Sequence, residues 1–162
     1  MSIFKVNVDI AVYIISIIIV VLLVLPIGNT ILNKIPITSH FIVFIPFCLL
    51  IITFLFVPIS YKVTIDKIII NKVWGAIEIN KADIIEVIPP ASDDLKGNIR
   101  LFASGGLFGY FGRYKSQKLG QYSMYAGSIK VNNLLIIRMK DGTKYVISPK
   151  RKEEFLFCAK QM

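Results

Sequence analysis

The sequence predicts an α+β chain: an N-terminal two-helix transmembrane hairpin, then a bent β-sandwich or partly open barrel of seven or eight strands capped by a C-terminal α-helix. Three observations predict it. Of 19 basic and 10 acidic residues, only Lys5, Asp9 and Lys34 precede Ile59. Two uncharged apolar runs fill that stretch, and after it the pattern turns to short alternating runs closed by turn residues. With 162 residues and 55% of them apolar, the chain has room for one small domain beside a membrane anchor. The boundaries fall at 1–60 for the hairpin and 61–162 for the domain.

The first helix is expected over residues 10–27, IAVYIISIIIVVLLVLPI, and the second over 41–59, FIVFIPFCLLIITFLFVPI. Eighteen helical residues span about 27 Å, close to the ~30 Å thickness of the hydrocarbon core. Neither run has the polar face of a soluble amphipathic helix, and both are too long without turn residues for buried strands. The n-region holds only Lys5, offset by Asp9, and no small-x-small site follows Leu25-Pro26-Ile27, so the segment is expected to be retained rather than cleaved. Pro26 and Pro58 are placed near helix ends, and Pro46 should bend the second helix.

Orientation follows from the cations. The loop 28–40 carries Lys34 and His40, whereas Lys62, Lys67 and Lys72 follow the second helix closely. With Lys5, this makes the chain multi-pass with both termini cytoplasmic. Cys48 and Cys158 form no CxxC motif and lie on opposite sides of the boundary, so both read as small hydrophobes.

From Tyr61 the period changes. Strands are expected at 61–65 and 68–72 across an Asp66-Lys67 turn, then at 75–80, 84–88, 99–103 and, after a Gly-rich connection, 121–125. Residues 134–139 and 144–147 close the set around Asp141-Gly142, a strong hairpin signature. The last element is a helix of about 149–161, with Ser148 as cap, Pro149 at its first position, and Phe155, Cys158, Ala159 and Met162 on its apolar face. So small a sheet must curl and cover its edges.

This order resembles a pleckstrin-homology-like domain. Tyr61-Lys62-Val63 after two membrane helices, GGLFGYFGRY at 105–114, Gly120-Gln121-Tyr122-Ser123-Met124-Tyr125-Ala126, and Tyr145-Val146-Ile147-Ser148-Pro149 with its Glu-x-Phe-like end resemble the bacterial PH-domain proteins, which are short and membrane-anchored. The resemblance covers nearly the whole chain and implies a bacterial inner-membrane location. It carries a fold and little chemistry. Phosphoinositide-binding members of the wider fold share a basic cluster at the first hairpin; here Lys62 and Lys72 flank the turn without a clustered pair.

The segment 104–118 packs four glycines, four aromatics and three cations into fifteen residues. It matches neither GxxxxGK[ST] nor GxGxxG opening a helix. Three readings stay open. Phe108, Tyr110 and Phe111 fold back to close the barrel, with glycines making the corner. Alternatively, aromatic tips enter the headgroup region while Arg113, Lys115 and Lys118 meet anionic lipid, each cation worth roughly 1 kcal/mol. In the third, the segment forms a groove for a protein partner. Candidate contacts are therefore Gly105, Gly106, Phe108, Tyr110, Phe111, Arg113, Lys115 and Lys118. A secondary basic patch is Lys150, Arg151 and Lys152, whose cations oppose the dipole at a helix N-terminus.

Residues 60–162 carry 17 basic and 9 acidic side chains, a net +8. A domain beside the negative cytoplasmic leaflet explains this charge more simply than nucleic acid does. No His lies after residue 40, and no GxSxG or HExxH occurs, so no catalysis, cofactor or metal is expected. The function expected is a membrane-anchored binding or scaffolding module that recognises a protein partner or assembles with itself. The alternatives are an anionic-lipid sensor and an accessory subunit of a transport complex.

Overall fold

Both apolar runs are helical. A computed structural model of the chain describes the backbone of residues 1–32 and 38–160, and the side chains of 1–25 and 45–160. Helix α1, Ile10–Leu32, continues past Pro26, where the sequence reading ended it, and reaches about 34 Å at 1.5 Å per residue. Helix α2, Thr38–Leu55, contains Pro46 and ends four residues earlier than expected. Among the described residues no helix is long and apolar enough to cross a membrane. The fully described portions, 10–25 and 45–55, each fall short of the ~20 residues a span needs. Lys34 and Met162, with the side chains of Pro26 and His40, lie outside the described residues.

Among the described residues, ten strands form two sheets. The first has the order β1 (Ser2–Lys5), β2 (Pro58–Val63), β3 (Lys67–Lys72), β4 (Ala76–Asn80), all antiparallel. Pro58 opens β2 instead of closing α2, a place where its missing N–H costs no ladder bond. Strand β1 was not expected from the sequence. Four residues are too few to show a period, and their partner lies nearly sixty residues away. The second sheet comprises β5 (Ile84–Ile88), β6 (Ile99–Gly105), β7 (Tyr110–Ser116), β8 (Gly120–Ala126), β9 (Leu135–Met139) and β10 (Lys144–Ile147), ordered β5-β9-β10-β8-β7-β6. Only β8 and β10 run parallel in it.

The Gly-rich segment is therefore no connection. Most of it is strand: Ser104 and Gly105 end β6, and Tyr110–Ser116 form β7, hydrogen-bonded to β6 on one side and β8 on the other. Its glycines read as turn signals, but the turn itself occupies only the four residues between Gly105 and Tyr110.

Alternation along the inner strands fills two cores. Leu135, Ile137 and Ile147 face the first sheet, where they pack with Phe4, Tyr61, Val63, Ile68 and Ile70. Ile136 and Val146 point the other way, into a cluster with Tyr114, Tyr122, Met124 and Leu95. Burial on both faces explains the unbroken apolar run 134–137.

Helix α3, Lys152–Lys160, seats Phe155 in the first core, its ring 5.2 Å from Phe4. It starts three residues later than the sequence reading placed it, so Ser148 is not its cap. The Ser148 hydroxyl instead accepts the Gly127 N–H at 2.8 Å and donates to the Asn7 carbonyl at 3.1 Å. With Glu153 and Glu154 in its first turn, the helix has its dipole complemented. Residues 6–9 cross from the first sheet to the second, through backbone bonds Asn7 N–H to Ser148 C=O (2.7 Å) and Asp9 N–H to Gly127 C=O (2.9 Å).

Candidate functional site

The β6–β7 hairpin holds the segment that the sequence singled out, and it divides into a tip, a shaft and a far end. At the tip, Phe108 has a positive φ of 58°, a conformation costing an L-residue roughly 1–2 kcal/mol. Contacts to the helices offset that cost. The Phe108 N–H donates to Ser16 Oγ of α1 at 2.8 Å, and its ring meets Phe54 of α2 edge-on at 5.3 Å. Ser16 in turn donates to the Val12 carbonyl. Gly106 is buried with its backbone against Ile15. The tip thus packs on the helical pair.

Along the shaft, Phe111 is buried and Tyr110 rests on the second core. Tyr114 hydrogen-bonds the Ser104 carbonyl and stacks on Tyr122, and burial pushes its phenol up to about 12. The Arg100 guanidinium lies over Gly105: a Cβ there would sit 2.1 Å from Cζ, so any larger residue would make the exposed Arg100 side chain swing away.

The cations lie away from the helices. Arg113 and Lys115 are exposed on β7, and Lys115 lies five residues beyond Tyr110, roughly 16 Å at ~3.3 Å per residue. Lys118 occupies the far turn, 3.4 Å from Asp93. Lys96, 2.5 Å from Asp93 on its other side, and Lys118 hold that carboxyl below its ordinary value. The segment does not gather aromatics and cations at one surface, as the lipid-facing reading required.

Nor does the secondary patch stand free. Arg151 pairs with Glu154 at 2.8 Å and covers the Phe4 ring, and Lys152 Nζ donates to the Asn132 carbonyl. Of the three, Lys150 alone is simply exposed.

What the sequence reading missed is the neighbour of β7. Strand β6 is the edge of the six-stranded sheet, and it exposes Ile99 (62%), Leu101 (48%) and Phe102 (87%). A bulge between Arg100 and Phe102 places two apolar residues side by side at the rim. The adjacent pair Leu101-Phe102, which breaks an otherwise alternating strand, was the available signal. Arg100, Arg113 and Lys115 lie around this edge with no carboxylate partner among the described residues. Beside it opens a cleft of about 420 Å³ lined by Leu101, Arg113, Gln121, Ser123, Asp141 and Lys144. The Lys144 ammonium is held by the Leu119 carbonyl at 2.6 Å.

A family model for the bacterial PH domain matches residues 59–161, more than half of the chain. The chain belongs to the bacterial PH-domain family. The match begins one residue into β2 and ends beyond α3, so it takes in both sheets except β1. Strand β1, which precedes the helical pair in the sequence, adds to the edge of the first sheet beside β2. No curated protein and no solved structure matches the chain.

Proposed function

We propose that this bacterial PH-domain protein is a membrane-anchored binding module, held at the cytoplasmic face of the bacterial plasma membrane, that recognises an extended acidic segment of a partner protein along the β6 edge. Its role is binding rather than catalysis.

The anchor reading is supported by helices of 23 and 18 residues without one charged side chain. Around α1, Ile10, Tyr13, Ile14, Ile17, Ile18, Val21 and Leu22 are all exposed, and only Val12 and Ser16 are buried in its described portion. An apolar surface that wraps a helix suits lipid and not water. Lys62, Lys67 and Lys72 after the second helix favour a cytoplasmic domain.

The observation that carries the binding reading is the β6 edge itself. An unpaired strand offers a row of N–H and C=O groups to a further strand, and proteins usually blunt such edges with charge or cover. Here the rim is apolar and Arg100, Arg113 and Lys115 lie around it, with Asp141 the one acidic side chain in the lining of the adjoining cleft. A segment with alternating apolar and acidic residues would satisfy both features. A second copy paired edge to edge would bring Arg100 and its like-charged neighbours together, an unfavourable arrangement.

The test is photo-crosslinking in intact membranes from position 102, with Ile65 as control, since it is equally exposed on the β2–β3 turn. One reproducible adduct is expected from 102 and none from 65, and Arg113→Glu should weaken it. No adduct at 102, or the same pattern from both sites, would contradict the reading. An adduct of twice the chain's mass would assign the edge to self-assembly instead.

A further inference from the structure

The face of the domain around the helix roots carries a second apolar surface, distinct from the β6 edge. On one side of α2, the β3–β4 turn is tied to the end of the helix: Trp74 N–H donates to the Leu55 carbonyl at 2.9 Å and Val73 N–H to the Val57 carbonyl at 3.0 Å. These bonds fix the turn, yet the Trp74 side chain remains 69% exposed. Next to it Phe56 is 41% exposed, with the Lys72 ammonium 5.1 Å from its ring. An indole beside a lysine at the end of an uncharged helix is the pattern of a membrane–water interface.

The β6–β7 tip reaches the same zone. Ser16, which it grips, lies six residues into α1, about 9 Å along the axis from Ile10. Non-helical backbone at such a depth is tolerated only when its polar groups are paired within the protein. Half of the tip's backbone groups are paired in this way: Gly106 N–H donates to Gly109 C=O at 3.0 Å, Ser104 Oγ to Leu107 C=O at 2.8 Å, and Phe108 N–H to Ser16. Ser16 thereby gains a role as the acceptor that lets a turn lie against a lipid-facing helix.

We propose that this face docks on the lipid bilayer, with the Trp74 turn and the Leu107-Phe108 tip at the boundary of headgroups and acyl chains. The domain is then seated in one pose on the membrane instead of swinging from it. Lipid is the occupant because both turns are bonded to uncharged helices whose surrounding side chains, Ile10, Tyr13 and Ile14, are apolar and exposed from the first turn. The inference rests on the anchor reading given above.

Trp74 is the single tryptophan of the chain and therefore a native depth probe. The full chain would be placed in vesicles of phosphatidylcholine and phosphatidylglycerol whose phosphatidylcholine is brominated at shallow or deep acyl positions. Expected are a blue-shifted emission, stronger loss of intensity with shallow than with deep bromines, and protection from aqueous iodide. A Trp74→Phe, Leu22→Trp variant reports the helix separately and should lose intensity most with deep bromines. Emission of a water-exposed Trp74, quenched by iodide and indifferent to bromine, overturns the docking face while quenched Trp at 22 leaves the anchor standing. If Trp at 22 is also indifferent to bromine, the anchor reading falls with it.

Discussion

Tyr61 sits where four stretches of chain meet. Its hydroxyl donates to the Tyr125 carbonyl at 2.6 Å and accepts the Ser148 N–H at 3.1 Å, while the neighbouring Ser148 side chain links Gly127 to Asn7. Tyr61→Phe would keep the ring packing on Phe155 and strand two buried backbone groups. A loss of about 1–3 kcal/mol is expected, read as a lower midpoint of thermal unfolding of the full chain in mild detergent. An unchanged midpoint would contradict it. Burial also sets a pH limit. Desolvation raises the phenols of Tyr61 and Tyr122 above their ordinary value, and that of Tyr114 to about 12. The fold favours the protonated form, so their contribution is full below the unfolded pKa near ~10 and falls as pH rises through the folded values. Denaturation curves across that window should show stability flat below about pH 10 and declining above it; a flat profile above it would contradict the assignment. The sequence marked Ser148-Pro149 as a boundary, which it is. It could not show that the hydroxyl bonds to residues 21 and 141 positions away.

The β6–β7 hairpin is the element on which most of the functional reading turns. Its register depends on Gly112, where φ is +116° and a Cβ would lie 2.3 Å from the Phe102 carbonyl oxygen. Gly142 has a φ of +84° with open space around it. Gly142→Ala should therefore cost only the roughly 1–2 kcal/mol of a left-handed residue. Gly112→Ala should cost clearly more and free the β6 amides to exchange hydrogen faster. Equal effects of the two substitutions would contradict the register. The contrast also explains what was legible. Asp141-Gly142 between two apolar runs announces its hairpin locally, and Thr64 to Lys67 does nearly the same. Strand β7 has glycine at position 112, where alternation needs a side chain, because Phe102 and Ala103 of β6 fill that space. Its strand character comes from β6 and β8, and a local reading makes it a loop. The sequence pointed to the right segment but not to the exposed strand beside it, where the adjacent apolar pair Leu101-Phe102 is the one irregularity in Ile99 to Ala103. Only its place at the end of the sheet makes Leu101 and Phe102 a surface.

On the scale of the molecule, charge alone separated the two apolar runs from the basic β-rich stretch after them, but it did not show that Ser2–Lys5 and Pro58 belong to the first sheet. Nor did it show how firmly the two parts are joined. The chain enters α1 from residues 2–9, which belong to both sheets, and leaves α2 two residues before β2. Asp9 at the base of α1 faces Lys130 at 3.8 Å. Together with the tip on Ser16 and Phe54, these ties give the domain a set direction relative to the helices. In the function proposed above, the helical pair crosses the membrane and holds the domain on its cytoplasmic side. Cysteine accessibility in intact cells tests this most directly, in a chain whose own Cys48 and Cys158 are replaced by Ser. A membrane-impermeant maleimide should label Lys34→Cys from outside and Ile65→Cys only after permeabilisation. Labelling of Ile65→Cys in intact cells, with Lys34→Cys shielded until they are opened, would contradict the claim.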